Sequence, residues 1–191
     1  MYKNNQLGDD HKEFPFDDIA TDDAVDTSGP NMMSINRELE EMAQVYNEKG
    51  ELRPQSQRDL RALAFSFIYA VDRHEYTMDL DAVVASYKDK FELVLDEDSY
   101  AITLARGIID HRDELDEVIK PLLKNWKFER LGCCTRLILR LALWELMQDQ
   151  ASASVIINEA IELSKAFAEK DAYKFINGIL DEFSKAKQLK K

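Results

Sequence analysis

Leu137-Ile-Leu-Arg-Leu-Ala-Leu-Trp144 is the stretch from which the rest of the chain is read. It is apolar nearly all the way round a helix, interrupted only by Arg140, so it predicts a helix at the centre of the fold. Working outward, patterns of helical period lie on both sides of it. Upstream, 57–73 sets Leu60, Leu63, Ala64, Phe67, Ile68 and Val71 on one face. The segment 79–87 is short and amphipathic behind an aspartate cap, and 96–110 aligns Tyr100, Leu104 and Ile108. Residues 113–124 continue with Leu115, Val118, Ile119 and Leu122, and Pro121 should bend or restrict the last turn. Downstream, 154–168 and 171–185 are two further amphipathic helices. No segment combines strict alternation with flanking turn signals, and six glycines and four prolines are too few for a many-stranded sheet protein. An all-α bundle follows, with Trp126, Leu139, Leu143 and Ile179 expected to be buried.

The charge is unevenly placed. The chain carries 37 acids against 25 bases, net −12. Residues 1–30 hold −6 and residues 31–55 hold −2, which leaves −4 for 56–191. The first thirty residues lack periodicity and end in Thr-Ser-Gly-Pro, a composition that predicts disorder. Residues 34–47 predict an amphipathic helix through Ile35, Leu39, Met42 and Tyr46, with Ser34 as cap and Gly50 as stop. Arg53-Pro54-Gln55-Ser56 reads as a hinge. The expected division is therefore an acidic extension over 1–55, a helical domain over 56–185 and a basic tail over 186–191. Such acidity excludes a protein that coats nucleic acid with its whole surface, so any such contact must come from a local patch.

Adjacent Cys133 and Cys134 suit neither a zinc site nor an ordinary disulfide; they read as small core residues in a reducing, cytoplasmic setting. There is no N-terminal apolar stretch and no long uncharged run, so neither a signal peptide nor a membrane span is expected. His11, His74 and His111 are far apart, and Gly107, Gly132 and Gly178 are isolated rather than gathered in a phosphate loop. The acid pairs Glu40-Glu41 and Asp96-Glu97-Asp98 read as solvated faces or helix caps. No enzyme, metal or cofactor is expected. Polar residues do stand within apolar helices, at Arg136, Arg140, Asn158, Glu159 and Asn177. They predict buried hydrogen bonds from the asparagines and a pairing of Glu159 with an arginine.

Three motifs in order carry a resemblance. Arg61-Ala-Leu-Ala-Phe-Ser-Phe-Ile-Tyr69, then Trp126-Lys-Phe-Glu-Arg130-Leu131 with Ile138-Leu139-Arg140-Leu-Ala142-Leu-Trp144-Glu145-Leu146, then Ile157-Asn-Glu-Ala-Ile-Glu-Leu-Ser-Lys165 with Lys174-Phe-Ile-Asn-Gly-Ile-Leu180, resemble the NusB family of bacterial transcription antitermination factors. The resemblance covers roughly 57–183. It implies about seven helices in two small subdomains and binding of boxA-type leader RNA from ribosomal RNA operons. It also implies a partner, the small-subunit ribosomal protein NusE, and an assembly with elongating RNA polymerase. By the same resemblance the RNA-binding residues are Arg58, Arg61, Tyr69, Asp171, Lys174 and Phe175. The sequence departs from the pattern in places. Only Arg58 and Arg61 stand where the family has an arginine-rich stretch, Asp59 opposes them, Thr135 replaces a common acid, and Ala-Ser-Ala-Ser replaces a proline near 151–154. These departures leave a second reading, a protein-interaction module with weakened RNA binding. A third, the NusB-like domain that precedes some ribosomal RNA cytosine methyltransferases, is disfavoured because no methyltransferase sequence follows Asp181.

The extension offers few apolar residues, so a chain starting at Ser56 is expected to unfold cooperatively with a Tm within a few degrees of the full chain. Differential scanning calorimetry of the two forms checks this.

Overall fold

The computed structural model describes residues 53–54, 56–124, 126–149 and 151–188, with the side chain of Gln188 left aside. The disorder expected over 1–30 and the helix expected over 34–47 lie outside these residues. Among the described residues there are seven α-helices and no strand: α1 (Gln57–Arg73), α2 (Leu80–Phe91), α3 (Tyr100–Asp110), α4 (Arg112–Ile119), α5 (Cys133–Gln148), α6 (Ala153–Phe167) and α7 (Ala172–Gln188).

Local chemistry sets several of the boundaries. Ser56 and Asp59 form a capping box at α1: the Ser56 hydroxyl accepts the Asp59 N–H at 3.1 Å, and the Asp59 carboxylate accepts the Ser56 N–H at 2.8 Å. Asp79 caps α2 by accepting the Ala82 N–H at 2.7 Å. At Pro121 the α-helix has already given way to a tighter turn, Lys120–Leu122. The acids at 96–98 precede α3 as an exposed turn and do not form its first residues. At the other end, α7 runs past 185. Lys187 donates to the Leu146 carbonyl and to the Asp149 carboxylate, so the first residues expected in a basic tail are helix tied to the end of α5.

Packing resolves into two groups that share α5. Helix α1 packs on α2 and α3, while α5 packs on α4, α6 and α7; α1 and α3 then meet α5. Leu139 and Leu143 are fully buried and Ile179 nearly so, as their helical stripes predict. Each such side chain contributes about 1.5–3 kcal/mol by leaving water. Helix α1 is more central than its amphipathic pattern suggests, because every residue from Arg61 to Val71 is buried. Its Phe65 stacks on Phe167 of α6 at 4.9 Å, and its Phe67 meets Tyr87 of α2 edge-on at 5.2 Å. Trp126 corrects an expectation: it is 58% exposed, because it stands in the connection between α4 and α5 and on no helix face. The other tryptophan, Trp144, packs against Gly107, where a Cβ would lie 2.6 Å from the indole.

Charge inside the fold is paired across helices. Arg61 of α1 donates through Nε to both carboxylate oxygens of Glu145 on α5, at 2.8 and 3.0 Å, and both side chains are almost wholly buried. The Tyr100 hydroxyl of α3 donates to the same carboxylate at 2.5 Å, so one acid ties α1, α3 and α5. A second network joins α1, α4 and α5. Arg140 forms a bidentate pair with Asp116 at 2.7 and 2.8 Å, and its guanidinium donates to Tyr76 at 3.1 Å. Tyr76 in turn donates to Asp72 at 2.9 Å, and Arg136 reaches Asp72 at 3.4 Å.

Removing one member of a buried pair strands the other charge in a medium of low polarity. Arg61→Met is therefore expected to cost about 3–5 kcal/mol in chemical denaturation. The double change Arg61→Met/Glu145→Leu is expected to cost less than Arg61→Met alone.

Candidate nucleic-acid interface

At the first turn of α1, Arg58 stands at the surface with its side chain half exposed. It is already engaged, bonded through Nε and Nη2 to the Glu159 carboxylate on α6 at 3.0 and 2.9 Å. Glu159 is thus the acid that pairs with an arginine, as its placement in an apolar helix suggests. Arg61 lies one turn further on, where α1 enters the core, and is 5% exposed. Tyr69 is also 5% exposed, with its ring 6.3 Å from Phe65, and burial pushes its phenol well above the ordinary range. Both expected surface contacts are inside the protein in this conformation. The reason is that α1 is enclosed on all sides from Arg61 to Val71, so position along the helix decides exposure and residue type does not.

The start of α7 is open. Asp171 adopts the left-handed backbone conformation at φ 68°, and its carboxylate accepts from the Lys174 ammonium at 2.8 Å. That bond raises the Lys174 ammonium above its ordinary range. Phe175 is half-buried against the core and meets the ring of Trp126 edge-on at 5.9 Å. Beneath them is a cleft of about 330 Å³, bordered by Trp126, Arg130, Thr135, Glu169, Asp171 and Phe175, among others. Glu169 holds the turn before α7 against the start of α5, accepting from the Thr135 hydroxyl at 2.7 Å. Gly132 leaves room for it there, since a Cβ at this position would displace the Glu169 carboxylate from its place.

Helix α6 joins the two ends. From Arg58 and Glu159 the exposed side runs through Glu162, which pairs with Lys165 at 2.7 Å. The Lys165 and Lys174 ammonium groups lie 5.8 and 5.6 Å from the centre of the Tyr173 ring. The structure therefore connects Arg58 with Lys174 and Asp171 through residues far apart in the chain. Sequence reasoning missed Tyr173, Lys165 and Trp126. Lys165 closes the Ile157–Lys165 motif and Tyr173 directly precedes Lys174, but only the packing of α6 on α7 brings the two together. Asn158 and Asn177 correct another expectation: both are exposed on helix surfaces, so neither makes the buried hydrogen bond expected of it.

Cys133 donates to Asp72 at 3.2 Å, and burial together with that carboxylate pushes its thiol up to about 12, which removes it as a nucleophile at neutral pH. Cys134 is a core residue. Among the described residues no group of three His, Cys, Asp or Glu side chains could hold a metal ion, and no helix is long and apolar enough to cross a membrane.

A helical scaffold that buries Arg61 and Arg140 while presenting Arg58, and Lys165 and Lys174 beside the Tyr173 ring, has the makings of a helical nucleic-acid-binding module. The NusB family model matches residues 58–185, and the chain belongs to the NusB family. The Transcription antitermination protein NusB of Staphylococcus epidermidis is 38% identical over 125 residues, covering 65% of this chain and 95% of that protein. Its counterpart in Staphylococcus aureus is 35% identical over 135 residues, covering 68% and 99%. Among solved structures, T. maritima NusB superposes with a TM-score of 0.58 at 30% identity, over 69% of this chain and 92% of that one. A structure of the antitermination factors NusB and NusE in complex with dsRNA gives 0.58 at 25% identity, over 68% and 96%.

The fit of Glu169 over Gly132 yields a stability test. Gly132→Ala is expected to swing the carboxylate away and forfeit its hydrogen bond, about 1 kcal/mol. In a Glu169→Ala background the same substitution is expected to cost close to nothing, a coupling that a double-mutant cycle in urea measures.

Proposed function

We propose that this chain is a transcription antitermination factor that binds boxA-type leader RNA of ribosomal RNA operons together with the ribosomal protein NusE. In that complex it keeps elongating RNA polymerase from terminating early. It works in the cytoplasm and catalyses no reaction. The observation that carries this reading is membership of the NusB family across residues 58–185, joined to the likeness to the NusB chain of the solved complex with NusE and dsRNA.

Arg58, Asp171, Lys174 and Phe175 are the RNA contacts in this reading, with Arg61 and Tyr69 acting from inside by holding α1 in place. Both surface cations already have carboxylate partners, Glu159 for Arg58 and Asp171 for Lys174. An RNA phosphate must replace those partners, so each contact returns less than a free cation would. Binding by this chain alone is therefore weak at physiological salt. A basic ribosomal protein supplies the missing positive charge, and the acidic chain speeds its approach.

Fluorescence anisotropy with a boxA-type RNA, with and without NusE, tests the reading. Arg58→Glu is expected to weaken binding and lower the log–log salt slope by about one unit. Glu159→Gln is expected to strengthen binding by releasing Arg58. No RNA binding in the presence of NusE would leave the protein-interaction module as the function.

A further inference from the structure

We propose that the cleft between the 126–132 connection and the start of α7 seats a single unpaired RNA nucleobase, with Trp126 as its stacking platform. The inference rests on the RNA-binding reading above and names the feature of RNA that this part of the surface takes. Trp126 is the most exposed large apolar side chain among the described residues, at 58%. Leaving an indole in water forgoes one of the larger burial gains available to a side chain. The ring is nevertheless not loose, because it meets Phe175 edge-on at 5.9 Å with 61° between the planes. A contact of this kind orients the indole, and with 58% of the residue exposed it leaves ring surface for another flat ring.

The cleft beside it suits one small ring. Its volume of about 330 Å³ is at the bottom of the range for small-molecule pockets, about 300–1,000 Å³. Its polar border is mixed. Glu169 and Asp171 supply carboxylate acceptors for the N–H edges of a base, and Arg130 and Lys170 stand exposed at the rim. Unlike Arg58 and Lys174, Arg130 and Lys170 form no ion pair with a carboxylate among the described residues. They are available to the phosphates on either side of a base without displacing an internal acid. Aromatic faces flanked by cations take unpaired bases, whose own faces are free, whereas a duplex keeps its bases stacked on each other.

The test uses the full chain with NusE, a fluorescein-labelled single-stranded boxA-type RNA, and the same RNA annealed to its complement. Trp126→Ala is expected to weaken single-strand binding about ten- to a hundredfold, leave duplex binding unchanged, and keep the salt slope, since no charge is removed. Trp126→Phe is expected to recover most of the loss. Quenching of tryptophan emission by the single strand is expected in the parent and absent in Trp126→Ala, where Trp144 remains as the reference. The Tm of Trp126→Ala separates a local effect from unfolding. If the parent binds RNA and Trp126→Ala binds the single strand equally well, or loses single strand and duplex alike, the base seat is wrong and the RNA-binding reading stands. If the parent binds neither RNA, both fall together.

Discussion

The buried ion pair between Arg61 and Glu145 is the constraint around which the described fold is arranged. A guanidinium and a carboxylate with side chains only 6% and 4% exposed are tolerable only while they remain bonded to each other. Their separation fixes how α1 lies on α5. The Tyr100 hydroxyl, on the same carboxylate, adds α3 to that geometry. Apolar packing alone would allow these helices to slide or rotate at modest cost, since several arrangements bury similar area. A charged pair with directional bonds does not. The Arg140–Asp116 and Tyr76–Asp72 network does the same for α4 and the far end of α1.

The same pairing principle shapes the surface proposed to meet RNA. The chain has more acids than bases, so most exposed cations near the interface have found a carboxylate, Arg58 with Glu159 and Lys174 with Asp171. In the proposed complex each such contact exchanges one anion for another, which returns little energy per contact.

Helix identity was legible because it rests on local periodicity. The pattern over 57–73 coincides with α1, and the capping roles of Ser56 with Asp59 and of Asp79 are side-chain chemistry acting within one turn. Family membership was legible too, because three motifs stand in order along the chain. The misplaced residues share a different character. Arg61 and Tyr69 sit among residues whose helical face looks only half apolar, yet α1 is enclosed on every side, and Trp126 looks like a core residue yet stands outside. Asn158 and Asn177 interrupt apolar runs but point outward.

By itself, then, the sequence determined the all-α class, the central place of the helix through 137–144, the family and the order of its motifs. All of these depend on neighbours a few residues apart or on motifs recognisable in one dimension. Tertiary structure alone decided which arginine is buried and which is presented, that Glu159 rather than solvent holds Arg58, and that Trp126 and Phe175 meet over a cleft. Exposure and ion pairing depend on what lies across from a side chain, and here the partners are 101 residues apart for Arg58 with Glu159 and 84 for Arg61 with Glu145. Helical period specifies the direction in which a residue faces along its own axis, but only the packing of the other helices determines whether water or protein is found there.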